Sequence, residues 1–346
     1  MPMGVEGSAR VRLGHSDLWV RPVGLGCMGM SQFYGDADDD SIETIRSAID
    51  LGVDFLDTSD VYGAADVATA KNVRGFGHNE RLIGTAISGR RESVVLATKF
   101  GAKLNESGDG ITLDGRPEYV AAACDASLRR LGTDVIDLYY CHRLDPNVPI
   151  EDTVGAMAEL VAEGKVRALG LSEVGSDLIR RAGAVHPISA LQSEYSLWER
   201  GVEQGIIATC RELGVTLVPF SPLGRSALTG ALKPGDTFSS NDFRASNPRF
   251  SAANLGTNLA PVAALADMAA AKGCRPGQLA LAWLLAQPMD VVPIPGTKRV
   301  DYVRENLAAT SVSISADEVA RLSEVFAPGR IVGARYNAAH ARTVAK

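Results

Sequence analysis

Short apolar runs alternate with longer amphipathic stretches along almost the whole of this chain, and that alternation constrains the fold more than any other feature. The short runs fall at residues 24–27, 54–57, 94–98, 136–141, 168–171, 190–192, 217–220 and 291–294 and are rich in Val, Ile, Leu and Ala. Near-continuous apolar strands are buried on both faces, and strands separated by helices form a parallel sheet covered on both sides. The helices are expected over residues 41–51, 79–89, 117–131, 151–163, 176–184, 202–213 and 261–271. Their apolar residues recur every three or four positions, as at Val154, Met157, Leu160 and Val161, the period of a helix with one buried face. Gly52, Gly132, Gly164 and Gly214 follow four of them, as C-terminal capping glycines do.

Eight such strands suit a closed (β/α)8 TIM barrel, an α/β fold, better than a doubly wound open sheet. No composition break or linker divides the 346 residues, so a single barrel domain over 1–346 is expected. Residues 10–13 and 18–22 flank a turn at 14–17. They read as an N-terminal β-hairpin, about 10–22, placed to plug the barrel floor. The barrel follows over about 23–310, and a C-terminal extra helix at 315–326 lies in the remainder, 311–346. Residues 224–259 are polar and poor in pattern; a loop that long inside a compact domain is usually functional.

The formal net charge is −6, which argues against nucleic acid or an anionic membrane as partner. No run of about eighteen apolar residues could span a bilayer, and the first ten residues lack the apolar core of a secretory signal. Cys27, Cys124, Cys141, Cys210 and Cys274 are scattered and never spaced as CxxC. That pattern suits a reducing cytoplasm and offers neither a disulfide framework nor a metal site. Oligomeric state is left open.

Gly24-Leu-Gly26-Cys-Met-Gly29 matches GxGxxG. A dinucleotide-binding turn needs its third glycine inside a helix that starts at the turn. Here the next helix begins only near Ser41, and no acidic strand end follows at the right distance. The match is therefore a decoy.

The chemistry lies at three strand ends. Asp57 closes the second run, Lys99 follows the third, and His142 follows the fourth, with Tyr62 five residues beyond Asp57. In a (β/α)8 barrel the carboxyl ends of the strands meet at one mouth, which holds the active site. A tyrosine hydroxyl has an ordinary pKa of about 10. A buried ammonium beside it favours the phenolate and lowers that value. Asp57 would keep Lys99 charged, and His142 could hydrogen-bond a substrate carbonyl. Such a set polarises a carbonyl next to a proton donor, and the hydride must come from a cofactor, because no side chain supplies one. Two rivals share the scaffold: a cofactor-retaining binding protein with little turnover, and a Schiff-base aldolase using Lys99.

At these residues the chain resembles the aldo-keto reductase family. The matching pieces are Gly52-Val-Asp-Phe-Leu-Asp57-Thr-Ser-Asp-Val-Tyr62-Gly, Ala97-Thr-Lys99-Phe, and Ile136-Asp-Leu-Tyr-Tyr-Cys-His142. Others are Gly164-Lys-Val-Arg-Ala-Leu-Gly170-Leu-Ser172, Gln192-Ser-Glu-Tyr195, Phe220-Ser-Pro-Leu-Gly224-Arg, Ile294-Pro-Gly-Thr-Lys298-Arg, and Glu305-Asn306. They run in family order over nearly the whole chain. The pyridoxal reductase-like and auxin-induced-like members of bacteria and plants look most similar. The resemblance implies an NADPH-dependent enzyme that reduces an aldehyde or ketone, with Tyr62 as proton donor, Lys99 and Asp57 tuning it, and His142 orienting the carbonyl.

It also implies a site for NADPH/NADP+. Ser172 and Gln192 would hold the nicotinamide carboxamide, and Phe220 would stack on the ring. Ser221, Pro222, Leu223, Gly224 and Arg225 would line the pyrophosphate. Ile294, Gly296, Thr297, Lys298 and Arg299 would form the 2′-phosphate loop, with Glu305 and Asn306 at the adenine. Gly26, Cys27 and Met28 complete the cofactor-binding set. Lys298 and Arg299 open a short helix, and two cations at a helix start make a ready phosphate site, which favours NADPH over NADH.

The sequence departs from the family pattern in two places. Glu173 follows Ser172 where many relatives carry Asn, and the loop from Gly63 to His78, containing Arg74 and Phe76, is longer than in short relatives. For the substrate pocket the candidates are Met28, Phe33, Tyr34, Phe76, Leu144, Tyr195 and Trp198, with Arg244 and Arg249 of the long loop. Their aromatic character suits a flat or ring-bearing substrate.

Overall fold

The computed structural model describes residues 10–34, 41–63, 75–105 and 111–341. Strands β1 (Val11–Arg12) and β2 (Trp19–Val20) pair antiparallel. Their buried neighbours Leu13, Leu18 and Val20 pack with Phe55, Ala97, Leu138, Tyr140, Ala168, Ala190, Val218 and Val292 of the barrel interior. The hairpin is thus the floor of the barrel. It is held close: the Gly14 N–H donates to Thr216 Oγ1 at 2.9 Å, and a Cβ at Gly14, whose φ is +54°, would lie 2.5 Å from Ser189 O.

Strands β3 (Leu25–Gly26), β4 (Phe55–Asp57) and β5 (Val95–Phe100) start the barrel. A small antiparallel pair, β6 (Ala102–Leu104) and β7 (Ile111–Leu113), follows on the rim. Strands β8 (Ile136–Cys141), β9 (Val166–Ser172), β10 (Ile188–Glu194) and β11 (Thr216–Phe220) continue the parallel sheet in the order β3-β4-β5-β8-β9-β10-β11. Residues 290–296 close it. On one side Val292 N donates to Leu217 O (2.9 Å) and Ile294 N to Pro219 O (3.0 Å); on the other Gly24 N donates to Pro293 O (3.0 Å) and Gly26 N to Pro295 O (3.4 Å). The eighth strand expected at 291–294 is therefore a bridging segment rather than a regular strand. Pro293 and Pro295 both face β3 and have no N–H to give, so the ladder on that side is half-made. Gly26 is needed at this seam, where a Cβ would lie 2.7 Å from Ile294 O.

Helices α1 (Ser41–Asp50), α2 (His78–Ile87), α3 (Pro117–Leu131), α4 (Ile150–Ala162), α5 (Ser176–Val185) and α6 (Ile206–Leu213) surround the barrel. The stretch expected to be one helix from 202 is broken at Gly205, with φ +108°. Helix α7 (Leu255–Ala271) begins six residues before Pro261, which lies inside it. Asn258, fully buried, ties that early turn by donating to Arg249 O and Val332 O, both at 2.9 Å. Helix α8 (Pro276–Leu285) was not expected, because Leu279 to Leu284 are all buried and no polar face marks a helical period. Helices α9 (Val300–Ala308) and α10 (Ala316–Val325) follow; Ser315 and Glu318 form a capping box at the start of α10. The match to GxGxxG leads into a 3-10 turn at Met28–Met30, and not into a helix.

Candidate active site

The residues singled out lie at the carboxyl ends of the strands. Asp57 ends β4, Ser172 ends β9 and Phe220 ends β11, while Lys99 is the penultimate residue of β5 and His142 follows β8. Register aligns them: Gly26 pairs with Asp57, Lys99 with Tyr140, and Ser172 with Gln192. Neighbouring strands thus deliver side chains from distant sequence to one mouth.

Lys99 is the hub. Its fully buried ammonium donates to Asp57 Oδ1 at 2.6 Å, to Thr58 O at 2.7 Å and to Tyr62 Oη at 3.2 Å. Gln192 Nε2 donates to the other Asp57 oxygen at 2.7 Å. The Tyr62 and His142 rings meet edge to face, 5.7 Å between centroids. Burial alone would pull Lys99 down, but Asp57 and Tyr62 outweigh it and hold the ammonium above its ordinary value. A lysine held charged is a poor amine nucleophile, which opposes the aldolase reading.

Tyr62 corrects an expectation. Burial pushes its hydroxyl above the ordinary value; Lys99 pulls it down, and Asp57 pushes it back up. The ammonium cannot win because its charge is shared with a carboxylate 2.6 Å away. Tyr62 is therefore a phenol at neutral pH, ready to give a proton. Burial, with Arg143 and Lys99 adding, drives the His142 imidazole well below its ordinary value, so it is neutral.

Among the described residues, the non-glycines with positive φ are Phe33, Glu173, Ser221, Arg225 and Ser226, and all follow the carboxyl ends of β3, β9 or β11. Strain of this kind collects where a site is built. Three of the five lie in residues 221–226. Arg225 turns its guanidinium inward to Glu194 (3.2 Å) and over the Phe243 ring (4.4 Å), so its charge points away from the turn. Gly296 and Arg299 are exposed at the start of α9. Lys298 Nζ donates to Tyr34 O at 3.1 Å, and Arg299 lies over the Tyr302 ring. Glu305 and Asn306 are in the same helix.

Glu173 has a partner the sequence did not suggest. It accepts from Glu194 N at 3.0 Å and pairs with Arg335, which also lies 3.8 Å from Glu194. The tail carrying Arg335 is strapped to the long loop: Asn247 Nδ2 donates to Arg335 O and Val332 N to Asn258 Oδ1. No local pattern could have announced this contact, 162 residues apart in sequence. Arg143 was also missed. It donates to Ser172 Oγ at 3.2 Å and to His142 O at 2.6 Å.

The pocket candidates divide. Met28 and Phe76 pack with Val61, Tyr62, Ala102 and Leu113 as an apolar wall beside the tyrosine. Phe33 meets Phe243 edge to face, and Tyr34 bridges to Asp242. Tyr195 and Trp198 instead belong to the core, against Trp283 and Phe250 respectively, and Leu144 packs against that core. Arg244 is taken by Asp242 (2.7 Å) and Arg249 by Glu199 (2.6 Å). Arg74 lies outside the described residues. Among the described residues, no group of three or more His, Cys, Asp or Glu could hold a metal ion, and no helix is long and apolar enough to cross a membrane.

A model of the Aldo/keto reductase family matches residues 22–327. The chain is 43% identical over 323 residues, 92% of each protein, to the Schizosaccharomyces pombe protein named aldo-keto reductase yakc (NADP+). A glycerol dehydrogenase from Gluconobacter oxydans has a similar structure, with TM-score 0.83 and 27% identity over 96% of this chain and 98% of that one. So does an aldo/keto reductase from Klebsiella pneumoniae solved with NADP and acetate, with TM-score 0.70 and 27% identity over 96% and 99%.

Proposed function

We propose a mechanism for this chain from the premise that it belongs to the aldo/keto reductase family. It is an NADPH-dependent oxidoreductase that reduces an aldehyde or ketone to the alcohol. The observation that carries the mechanism is the Lys99 ammonium held between Asp57 and Tyr62 in a fully buried triad.

NADPH, when bound, supplies the hydride. The residues present fit it. Ser172 and Gln192 are ladder partners on adjacent strands, so both can hold a carboxamide next to Asp57. Phe220 offers a ring face at the end of β11. The strained turn from Ser221 through Pro222, Leu223 and Gly224 to Arg225 would line the pyrophosphate with backbone, since the Arg225 guanidinium is spent on Glu194. Gly296, Thr297, Lys298 and Arg299 would form the 2′-phosphate loop leading into α9, where helix amides and cations favour an anion; Ile294, expected with them, is instead buried in the barrel interior, where its N–H closes the ladder to Pro219. Glu305 and Asn306 would lie on the adenine side and Gly26 and Met28 would complete the wall, while the Cys27 side chain, expected there too, is fully buried in the core behind them.

Tyr62 gives its proton from Oη to the carbonyl oxygen as negative charge develops there. Lys99 stabilises the phenolate left behind, and Asp57 keeps Lys99 charged and fixed. His142, neutral, donates to the same oxygen and orients it. The whole chain acts as one barrel domain with a small carbonyl compound as partner. Its five free thiols support a reducing, cytoplasmic setting. The apolar wall of Met28, Phe76 and Val61 beside Tyr62, with the pyridoxal reductase-like resemblance, directs the first trials to ring-bearing aldehydes.

The test is oxidation of NADPH and NADH against a panel of aldehydes and ketones, with Tyr62→Phe alongside. The variant should bind NADPH and lose about 10²- to 10⁴-fold in kcat, the usual worth of a general acid. Wild-type binding without turnover of any carbonyl would instead favour a cofactor-retaining binding protein. A Tyr62→Phe enzyme as fast as wild type would sink the proton-donor assignment.

A further inference from the structure

Behind His142 lies a second polar line that the triad does not use. His142 Nδ1 is 3.1 Å from Ser59 Oγ, and Ser59 Oγ is 3.3 Å from Asp60 Oδ1. Both residues are fully buried. Asp60 is clamped by its backbone: its N–H donates to Lys99 O at 3.2 Å, and its carbonyl accepts from Gly77 N at 2.6 Å. We propose that Ser59 and Asp60 are positioning residues for His142, and that the line Asp60–Ser59–His142 fixes the imidazole tautomer that carries its proton on Nε2. This rests on the reductase reading, in which Nε2 is the nitrogen left to donate to the carbonyl oxygen.

The argument is a count of hydrogens. A neutral imidazole has one N–H. If Nε2 carries it, Nδ1 must accept, and Ser59 is the donor within reach. Ser59 has a single hydroxyl hydrogen, for which Asp60 Oδ1 and Lys99 O (3.4 Å) also compete. An ionised Asp60 would draw that hydrogen away; Nδ1 would then have to carry the proton and donate to Ser59, leaving Nε2 bare. A protonated Asp60 does the reverse. It donates to Ser59 Oγ, turns the serine hydrogen onto Nδ1, and leaves the proton on Nε2.

The surroundings favour the protonated acid. Asp60 Oδ2 has no hydrogen-bond partner among the described residues. Burial, and then the charge of Glu80, push the Asp60 carboxyl well above its ordinary range. Arg130 of α3 is the nearby cation, but it is spent on Glu80 at 2.5 Å. Tyr119 of α3 and Tyr139 of β8 also feel the charge of this carboxyl, and both are held as phenols, first by burial. On the His142 side, Lys99 and Arg143 add positive charge that keeps the ring neutral.

The experiment is long-range nitrogen-15 correlation NMR of the histidine rings, five in the chain, with His142 assigned by loss of its signals in H142Q. Wild type should show Nδ1 bare and Nε2 protonated. Ser59→Ala removes the donor to Nδ1 and should move the Nδ1 resonance downfield, toward that of a bare nitrogen without a hydrogen bond. It should also lower kcat on the order of tenfold, about one hydrogen bond in the transition state, while NADPH still binds. Ser59→Thr should restore both, and Asp60→Asn should keep the Nε2–H tautomer, because a carboxamide N–H donates as the acid does. A wild-type His142 protonated on Nδ1 overturns the proposal, even if Ser59→Ala fails to fold. So does an Nδ1 resonance in Ser59→Ala that is unchanged from wild type. The tautomer is read without turnover, so a failure of the reductase reading would show separately, as no carbonyl reduced.

Discussion

Replacing Lys99 by methionine keeps the length of the side chain and removes its charge. The ammonium is fully buried and donates to Asp57 Oδ1, Thr58 O and Tyr62 Oη at 2.6, 2.7 and 3.2 Å. Removing one partner of a buried pair costs about 3–5 kcal/mol, because the other charge is left uncompensated. Asp57 can avoid that by taking a proton. Burial already pushes its carboxyl up, and Lys99 is the largest opposing influence, so without Lys99 the folded pKa climbs further. The unfolded value is about 3.9. Between the two, the folded variant holds a proton that the unfolded chain has released. Its unfolding free energy therefore falls by about 1.4 kcal/mol per pH unit. The deficit relative to wild type should be small near pH 5 and reach the full several kcal/mol near pH 8. Asp57→Asn with Lys99→Met should abolish the slope. Equilibrium unfolding in urea of all three proteins at pH 5, 6.5 and 8 reads this directly. A deficit below about 1 kcal/mol, against the 3–5 expected, or one equal at pH 5 and pH 8, would refute the claim that Asp57 is a buried charge held by Lys99.

Two further outcomes follow from burial and packing. Cys27, Cys124, Cys141 and Cys210 are buried and Cys274 only partly so, and burial pushes the Cys124, Cys141 and Cys210 thiols up to about 12. A disulfide reagent at neutral pH should titrate Cys274 alone in the folded protein and all five thiols in urea; a second fast thiol would contradict this packing. Gly170 pairs with Tyr140 across β8 and β9, and a Cβ there would lie 2.3 Å from Tyr140 Cδ1. Gly170→Ala must push that buried ring aside and should cost about 1–3 kcal/mol in urea unfolding, as overpacking does. A neutral effect would mean that the barrel interior is looser than described.

Much of the fold was legible because it rests on periodicity. Strands and helices announced themselves where a buried face alternates with a wet one, and α3 matches its expected bounds of 117–131. Periodicity is silent where contrast vanishes: α8 is buried from Leu279 to Leu284, and the proline-rich closing segment cannot complete a ladder. Pro261 misled because proline usually starts helices, whereas here Asn258 anchors an earlier turn.

The site divided along the same line. By itself the sequence determined which residue types stand at the strand ends, because the end of each apolar run is a local signal. Asp57, Tyr62, Lys99 and His142 could therefore be named with no knowledge of distance. Only the tertiary structure decided what those groups do to one another. The net upward push on Tyr62 depends on burial and on an ammonium already shared with Asp57. The capture of Glu173 by Arg335, the inward turn of Arg225 and the line from Asp60 through Ser59 to His142 depend on side chains brought together by barrel closure. Burial and Coulomb interaction are functions of distance and surrounding medium, and neither is written in the order of the residues.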